Sequence, residues 1–242
     1  MRLQGRRAVV TGAASGFGAG IARRFAQEGA DVLVADLSGA GAREVAAGIG
    51  GRWAEVDVGD RASVGALAEA AGETDILVNN AGITHLPGPL EDVEEEVFDR
   101  VLRVNAKSVY LTARAFVPGM KARGTGAICN IASTAGVSPR PNLSWYNASK
   151  GWMITATKAM AVELAPFGVR VNAVNPVAGE TPLLKSFMGE DTPQMRARFL
   201  STIPIGRFST PADIAAAALF LCSDEASMVT GVAMEVDGGR CI

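Results

Sequence analysis

The chain has 242 residues, 48% of them hydrophobic and 20% charged, with 28 glycines and a formal net charge of -2. That size and apolar content suit one α/β core and leave little room for a second, so residues 1–242 are expected to form a single domain. The balanced charge offers no basic stripe for nucleic acid and no polybasic tail for a membrane surface, and a small molecule is the expected partner.

The polar, basic start Met1–Arg7 leads only into the short apolar run Ala8–Val10, so no signal peptide is expected. No apolar run reaches spanning length. Cys129, Cys222 and Cys241 are widely spaced and odd in number, which points to a reducing cytoplasm and no disulfide framework. His85 is the only histidine and no carboxylate cluster replaces a second one, so no metal site is expected.

In chain order, Arg7–Val10 reads as a buried strand. It is followed by Thr11-Gly12-Ala13-Ala14-Ser15-Gly16-Phe17-Gly18 and an amphipathic helix to about Glu28. A glycine-rich turn between strand and helix lets backbone approach a pyrophosphate and aims helix N–H groups at its charge. Such a turn can also be a packing feature. The strand Asp31–Asp36 ends on a carboxylate placed to accept hydrogen bonds from an adenosine ribose. Asp36 would repel a 2′-phosphate, and Ala13, Ala14 and Ser15 could not neutralise one, so NAD is expected in preference to NADP.

A helix near Ala40–Ala47, a strand Arg52–Val56, a helix Arg61–Ala71 and a strand Asp75–Val78 continue the alternation that argues for a parallel sheet. Asp57 follows the third strand and could bond an adenine amino group or cap the next turn. Asn79-Asn80-Ala81-Gly82 ends the fourth strand with residues suited to a close approach. The loop Ile83–Pro89 holds His85, and a long helix is expected from about Val93 to Val117, broken at Pro118-Gly119. Asn105 lies inside it as either a satisfied core amide or a functional group.

The strand Gly126–Ile131 runs up to Ser133, whose hydroxyl could polarise a carbonyl. In the helix from Ser144 to about Glu163, Tyr146 and Lys150 are four residues apart and share a face. The ammonium is expected to lower the phenol pKa and make Tyr146 an acid–base group. After a strand Val169–Val174, Asn175–Gly206 breaks the alternation with four prolines and apolar residues at helical spacings, as expected of a substrate-covering insertion at about 180–206. Thr210 and Pro211 then start a helix to Leu221, and Val232–Val236 supplies a seventh strand.

With these residues placed, the chain resembles the short-chain dehydrogenase/reductase family over nearly its whole length. The motifs are the turn Thr11–Gly18, Asn79-Asn80-Ala81-Gly82, the helix Asn105, Ser133, and the Tyr146–Lys150 pair thirteen residues beyond that serine. One departure is Val177 after Asn175-Pro176, where the family usually has glycine. The resemblance implies an α/β, Rossmann-type doubly wound sheet of seven parallel strands in order 3-2-1-4-5-6-7, helices on both faces and the ligand at the switch point.

It implies hydride transfer between NAD(H) and a secondary alcohol (a sugar, polyol or other hydroxy compound) or its ketone. Tyr146 would be the acid–base, Ser133 would bond the reacting oxygen, Lys150 would hold the nicotinamide ribose, and Asn105 would hold a water linking Lys150 to solvent. Cofactor contacts are expected from Gly12, Ser15, Gly16, Phe17, Gly18, Asp36, Asp57, Val58, Asn80, Ala81 and Gly82. Tyr146, Lys150, Pro176, Gly179 and Thr181, the last to the carboxamide, complete that set. Substrate contacts are expected from His85, Ser133, Trp145, Tyr146, Leu183 and Phe187, with Arg140, Val177 and Glu180 among further wall candidates. The family also contains 3-oxoacyl-carrier-protein reductases, and a non-catalytic NAD sensor is a third reading. By analogy a homotetramer is expected.

Overall fold

A computed structural model describes all 242 residues. Seven strands form one parallel sheet in the order β3-β2-β1-β4-β5-β6-β7. They are β1 (Arg7–Thr11), β2 (Asp31–Asp36), β3 (Arg52–Glu55), β4 (Ile76–Asn79), β5 (Gly126–Ile131), β6 (Val169–Pro176) and β7 (Ala233–Val236). The two-residue period of a strand sends alternate side chains to opposite faces, and the apolar residues obey it. Ala8 and Val10 of β1, with Val32 and Val34 of β2, pack with Ile21, Phe25 and Leu219 on one face. Val9, Leu33, Leu77 and Ile128 pack with Leu67, Phe116 and Leu164 on the other. Both faces are therefore sealed by helices, as a parallel sheet requires.

The helices of the chain are α1 (Gly16–Gln27), α2 (Gly39–Ile49), α3 (Arg61–Ala71), α4 (Glu95–Leu102), α5 (Ser108–Arg123), α6 (Ser144–Leu164), α7 (Leu184–Met188), α8 (Pro193–Leu200) and α9 (Pro211–Cys222). Because β1 is flanked by β2 on one side and β4 on the other, the loops leaving β1 and β4 diverge. A crevice opens there, at the carboxyl end of the sheet. α9 begins with the expected Thr210 cap, strengthened by Asp213 in a reciprocal capping box.

The long helix expected over 93–117 is built differently. It is divided at Arg103–Lys107, where a π-turn inserts an extra residue, and it runs through Pro118 to Arg123. Pro118 is tolerated because it lies on the exposed face, where water can bond the Arg114 carbonyl left without its partner. The next turn is anchored by the fully buried Met120. The π-turn is held by Asn105, which is fully buried and bonded to Ile83 and Ser149.

The segment after β6 carries its own small core of Val177, Leu184, Met188, Phe199, Ile203 and Phe208. Val177, standing where glycine was expected, thus anchors this segment to the sheet. Leu184 and Met188 point into that core, while Leu183 and Phe187, also four apart, line the crevice.

Candidate active site

Gly12 leaves β1 with φ +63°, and a β-carbon there would lie 2.6 Å from the Ala81 Cα. A β-carbon on Gly18 would lie 2.3 Å from the Gly12 carbonyl oxygen and 2.4 Å from the Asn80 Nδ2. The two glycines therefore let the turn after β1 press against the end of β4. Asn80 sews the two together, its amide donating to the carbonyls of Thr11 (2.9 Å) and Gly12 (2.8 Å). The Thr11 hydroxyl accepts from the backbone N–H of Asn80 and Ala81.

Ser15 caps α1 in extended geometry without a side-chain bond to it, and no acidic residue occupies the first turn. That leaves backbone N–H groups at the helix start for an anion. Asp36 ends β2 with one carboxylate oxygen accepting from the Ala14 N–H and the other from the Ser38 N–H, both at 2.9 Å. Each oxygen keeps a lone pair for a further donor. Asp57 caps its own turn through the Gly59 N–H (2.8 Å) and pairs with Arg103 (2.6 Å), while it also lines the crevice.

At the other end of the crevice, Ser133 caps a short turn, its Oγ accepting from the Ala135 N–H at 3.0 Å. Tyr146 and Lys150 project from one face of α6, and both are nearly fully buried. The Lys150 ammonium donates to the Ile131 carbonyl at 2.9 Å and lies 6.0 Å from the centre of the Tyr146 ring. Phe187 packs edge-on against that ring at 5.0 Å.

The expected lowering of the phenol pKa by Lys150 is absent. Burial pushes Tyr146 up to about 12, and the Ser133 hydroxyl opposes this only in part. Burial also pushes Lys150 down, to about 8. Desolvation disfavours the charged form of each group, so at neutral pH the phenol holds its proton.

Asn105 spends both amide hydrogens on protein, donating to the Ile83 carbonyl and the Ser149 hydroxyl, while its Oδ1 accepts from the Ile83 N–H. One Oδ1 lone pair remains. A β-carbon on Gly82 would sit 3.4 Å from that oxygen and 3.3 Å from the Lys150 Nζ, so the missing side chain leaves space open beside both groups.

These elements enclose one cavity of about 460 Å³. Its lining includes Gly12, Ser15, Gly16, Phe17, Asp36, Asp57, Val58, Asn80, Ala81 and Gly82, together with Pro176, Gly179 and Thr181. Ser133, Tyr146, Lys150, Leu183 and Phe187 line the remainder. The glycine-shaped floor, the open helix start and the acid on β2 all fit a nicotinamide dinucleotide.

Five expected residues lie outside the lining. Gly18 and Asn105 support it from behind. His85 is a correction: it is buried beside a separate hollow, with Nδ1 against the Leu86 carbonyl at 2.8 Å. Trp145 is another, since its indole N–H donates to the Leu90 carbonyl and its ring packs on Phe98. Glu180 is exposed and also outside the lining, with Arg196 and Arg207 close enough to feel its charge. Leu143 was missed; it packs with Ala135 and Tyr146 at the start of α6. A lone leucine in a loop carries no periodic signal that would have found it.

Residues 12–240 match a family model described as enoyl-(acyl carrier protein) reductase. A 4-formylbenzenesulfonate dehydrogenase from Comamonas testosteroni is 52% identical, with 100% of each chain covered. A 3-ketoacyl-(acyl-carrier-protein) reductase structure from Brucella melitensis, complexed with NADH, is 51% identical at a TM-score of 0.95, covering 99% of this chain and 100% of that one. A structure from Beutenbergia cavernae, named as an NAD(P)-dependent gluconate 5-dehydrogenase and holding NADP, is 39% identical at a TM-score of 0.92, covering 98% and 97%.

Proposed function

From membership of the short-chain dehydrogenase/reductase family, to which this chain belongs, we propose an NAD(H)-dependent oxidoreductase that interconverts a hydroxy compound and its carbonyl form. The observation that carries this reading is the meeting of Ser133, Tyr146 and Lys150 at one end of a crevice whose other end is the Gly12–Gly18 turn and Asp36. The nicotinamide supplies or accepts the hydride. In reduction, Tyr146 gives its proton to the carbonyl oxygen and Ser133 donates a hydrogen bond to the same oxygen. In oxidation the phenolate takes the hydroxyl proton back. Lys150, fixed by the Ile131 carbonyl, holds the nicotinamide ribose and steadies the phenolate as it forms.

The remaining lone pair of Asn105 takes the water expected between it and Lys150. The whole chain acts as one dinucleotide-binding unit, with about 180–206 covering the substrate. Tyr110 of α5 and Trp152 of α6 are exposed apolar side chains on helices that suit contact between copies, in support of a homotetramer. A cytoplasmic setting accords with the three free cysteines.

A second reading, reduction of a 3-oxoacyl chain, is favoured by the name of the Brucella relative. A panel of sugars, polyols, cyclic alcohols and a 3-oxoacyl thioester, followed by the absorbance of the reduced cofactor, separates the two. In the same assay NAD should exceed NADP by at least ~10-fold in kcat/KM, about 1.4 kcal/mol. Asp36→Ala should shrink that ratio, because the repulsive carboxylate is gone. A wild-type preference for NADP would overturn the assignment of Asp36.

A further inference from the structure

The charged groups lining the crevice are segregated. Asp36 and Asp57 lie at the ends of β2 and β3, while the substrate end carries Arg140 and Lys150 and no carboxylate. Lys150 is committed to the Ile131 carbonyl and, in the reading above, to the cofactor ribose. Arg140 has no such task. Its guanidinium carbon lies over the Phe199 ring, 4.5 Å from the ring centre. One of its donors reaches the Thr202 hydroxyl at 3.1 Å. The other N–H groups have no acceptor in the protein, although a guanidinium carries five.

The groups around Arg140 make this unusual. Its charged neighbours are Arg240 and Arg198, which repel it, while the Cys241 thiol gives the opposing influence; no carboxylate takes part. Arg240 is itself turned to Ser138 at 2.9 Å, and Arg198 is exposed. A half-buried arginine placed among other arginines loses hydration and gains repulsion, a cost that packing on Phe199 alone offsets poorly. An arriving anion would relieve both, and a planar fork suits a sulfonate or carboxylate.

We propose that Arg140 is a substrate-specificity residue: it receives a sulfonate or carboxylate that the substrate carries away from its reacting carbon. The substrates are then anionic hydroxy or carbonyl compounds. This rests on the hydride-exchange reading, since it takes the substrate to lie between Tyr146 and Arg140.

The test compares benzenesulfonate with its uncharged isostere methyl phenyl sulfone, each titrated into the NADH-loaded protein. Wild type should bind the anion at least ~10-fold more tightly, the scale of a charge-assisted bond. In Arg140→Gln the preference should vanish while NADH affinity stays unchanged. Arg140→Lys should keep part of it, as a point charge without the fork. Arg198→Gln should leave it in place.

Equal binding of the two probes by wild type would overturn the proposal without recourse to any variant. So would a preference that survives Arg140→Gln or is lost in Arg198→Gln. Failure of wild type to bind NADH would instead strike the cofactor assignment, and is read out separately before either probe is added.

Discussion

Replacing Tyr146 with phenylalanine is expected to lower turnover by ~10²–10⁴-fold, the range that positioned acid–base groups contribute. The ring is buried against Phe187, Ala135 and Leu143, and phenylalanine keeps that packing. Only the hydroxyl beside Ser133 is lost, so NADH affinity and the unfolding midpoint should change little. Since burial pushes the phenol up to about 12, the protein is poised as a proton donor. Reduction should therefore proceed readily at neutral pH, whereas oxidation needs the phenolate and should quicken as the pH rises. Steady-state rates in both directions, with NADH binding followed by fluorescence, check all of this. Retained turnover in the phenylalanine variant would place the acid–base group elsewhere.

Gly12→Val is expected to be the most damaging change at the cofactor end. A valine at φ +63° is strained, and its β-carbon would meet the Ala81 backbone at 2.6 Å. Backbone cannot move aside as a flexible side chain can, so the cost should be roughly 2–5 kcal/mol of stability. The turn after β1 and the end of β4 must part, which breaks the Asn80 bonds to Thr11 and Gly12 and opens the turn proposed to receive the pyrophosphate. NADH affinity should fall by at least ~100-fold even in protein that remains folded. Denaturant unfolding and cofactor titration report the two effects independently. An unchanged NADH affinity would mean that this turn does not touch the dinucleotide.

The contrast between these two positions shows what a sequence can carry. Tyr146 and Lys150 were readable together because a helix places residues four apart on one face. Gly12 was readable because it falls between a buried strand and a helix start. The sheet order came by a different route, through the family resemblance, since alternation alone indicates a parallel sheet and not which strands adjoin. The π-turn at Arg103–Lys107 was hidden, because the extra residue is held by bonds from Asn105 to Ile83 and Ser149, far away in the chain.

His85 and Trp145 were misplaced for a related reason. One stands in an irregular loop and the other on the helix position just before Tyr146, which points elsewhere. The pKa of Tyr146 went wrong in sign because proximity to a cation was legible, whereas the depth at which both groups are buried was not.

In the proposed function this crevice moves a hydride between a nicotinamide and a carbon that bears oxygen. That transfer is tested most directly with NADH deuterated at the transferable C4 position, incubated with wild-type protein and a panel of anionic ketones and aldehydes, the products being weighed by mass spectrometry. The account predicts an alcohol product one mass unit heavier, the deuterium bound to the former carbonyl carbon, and none formed by Tyr146→Phe on the same timescale. Alcohol formed without deuterium at that carbon, in the presence of either C4 epimer of the label, would contradict it.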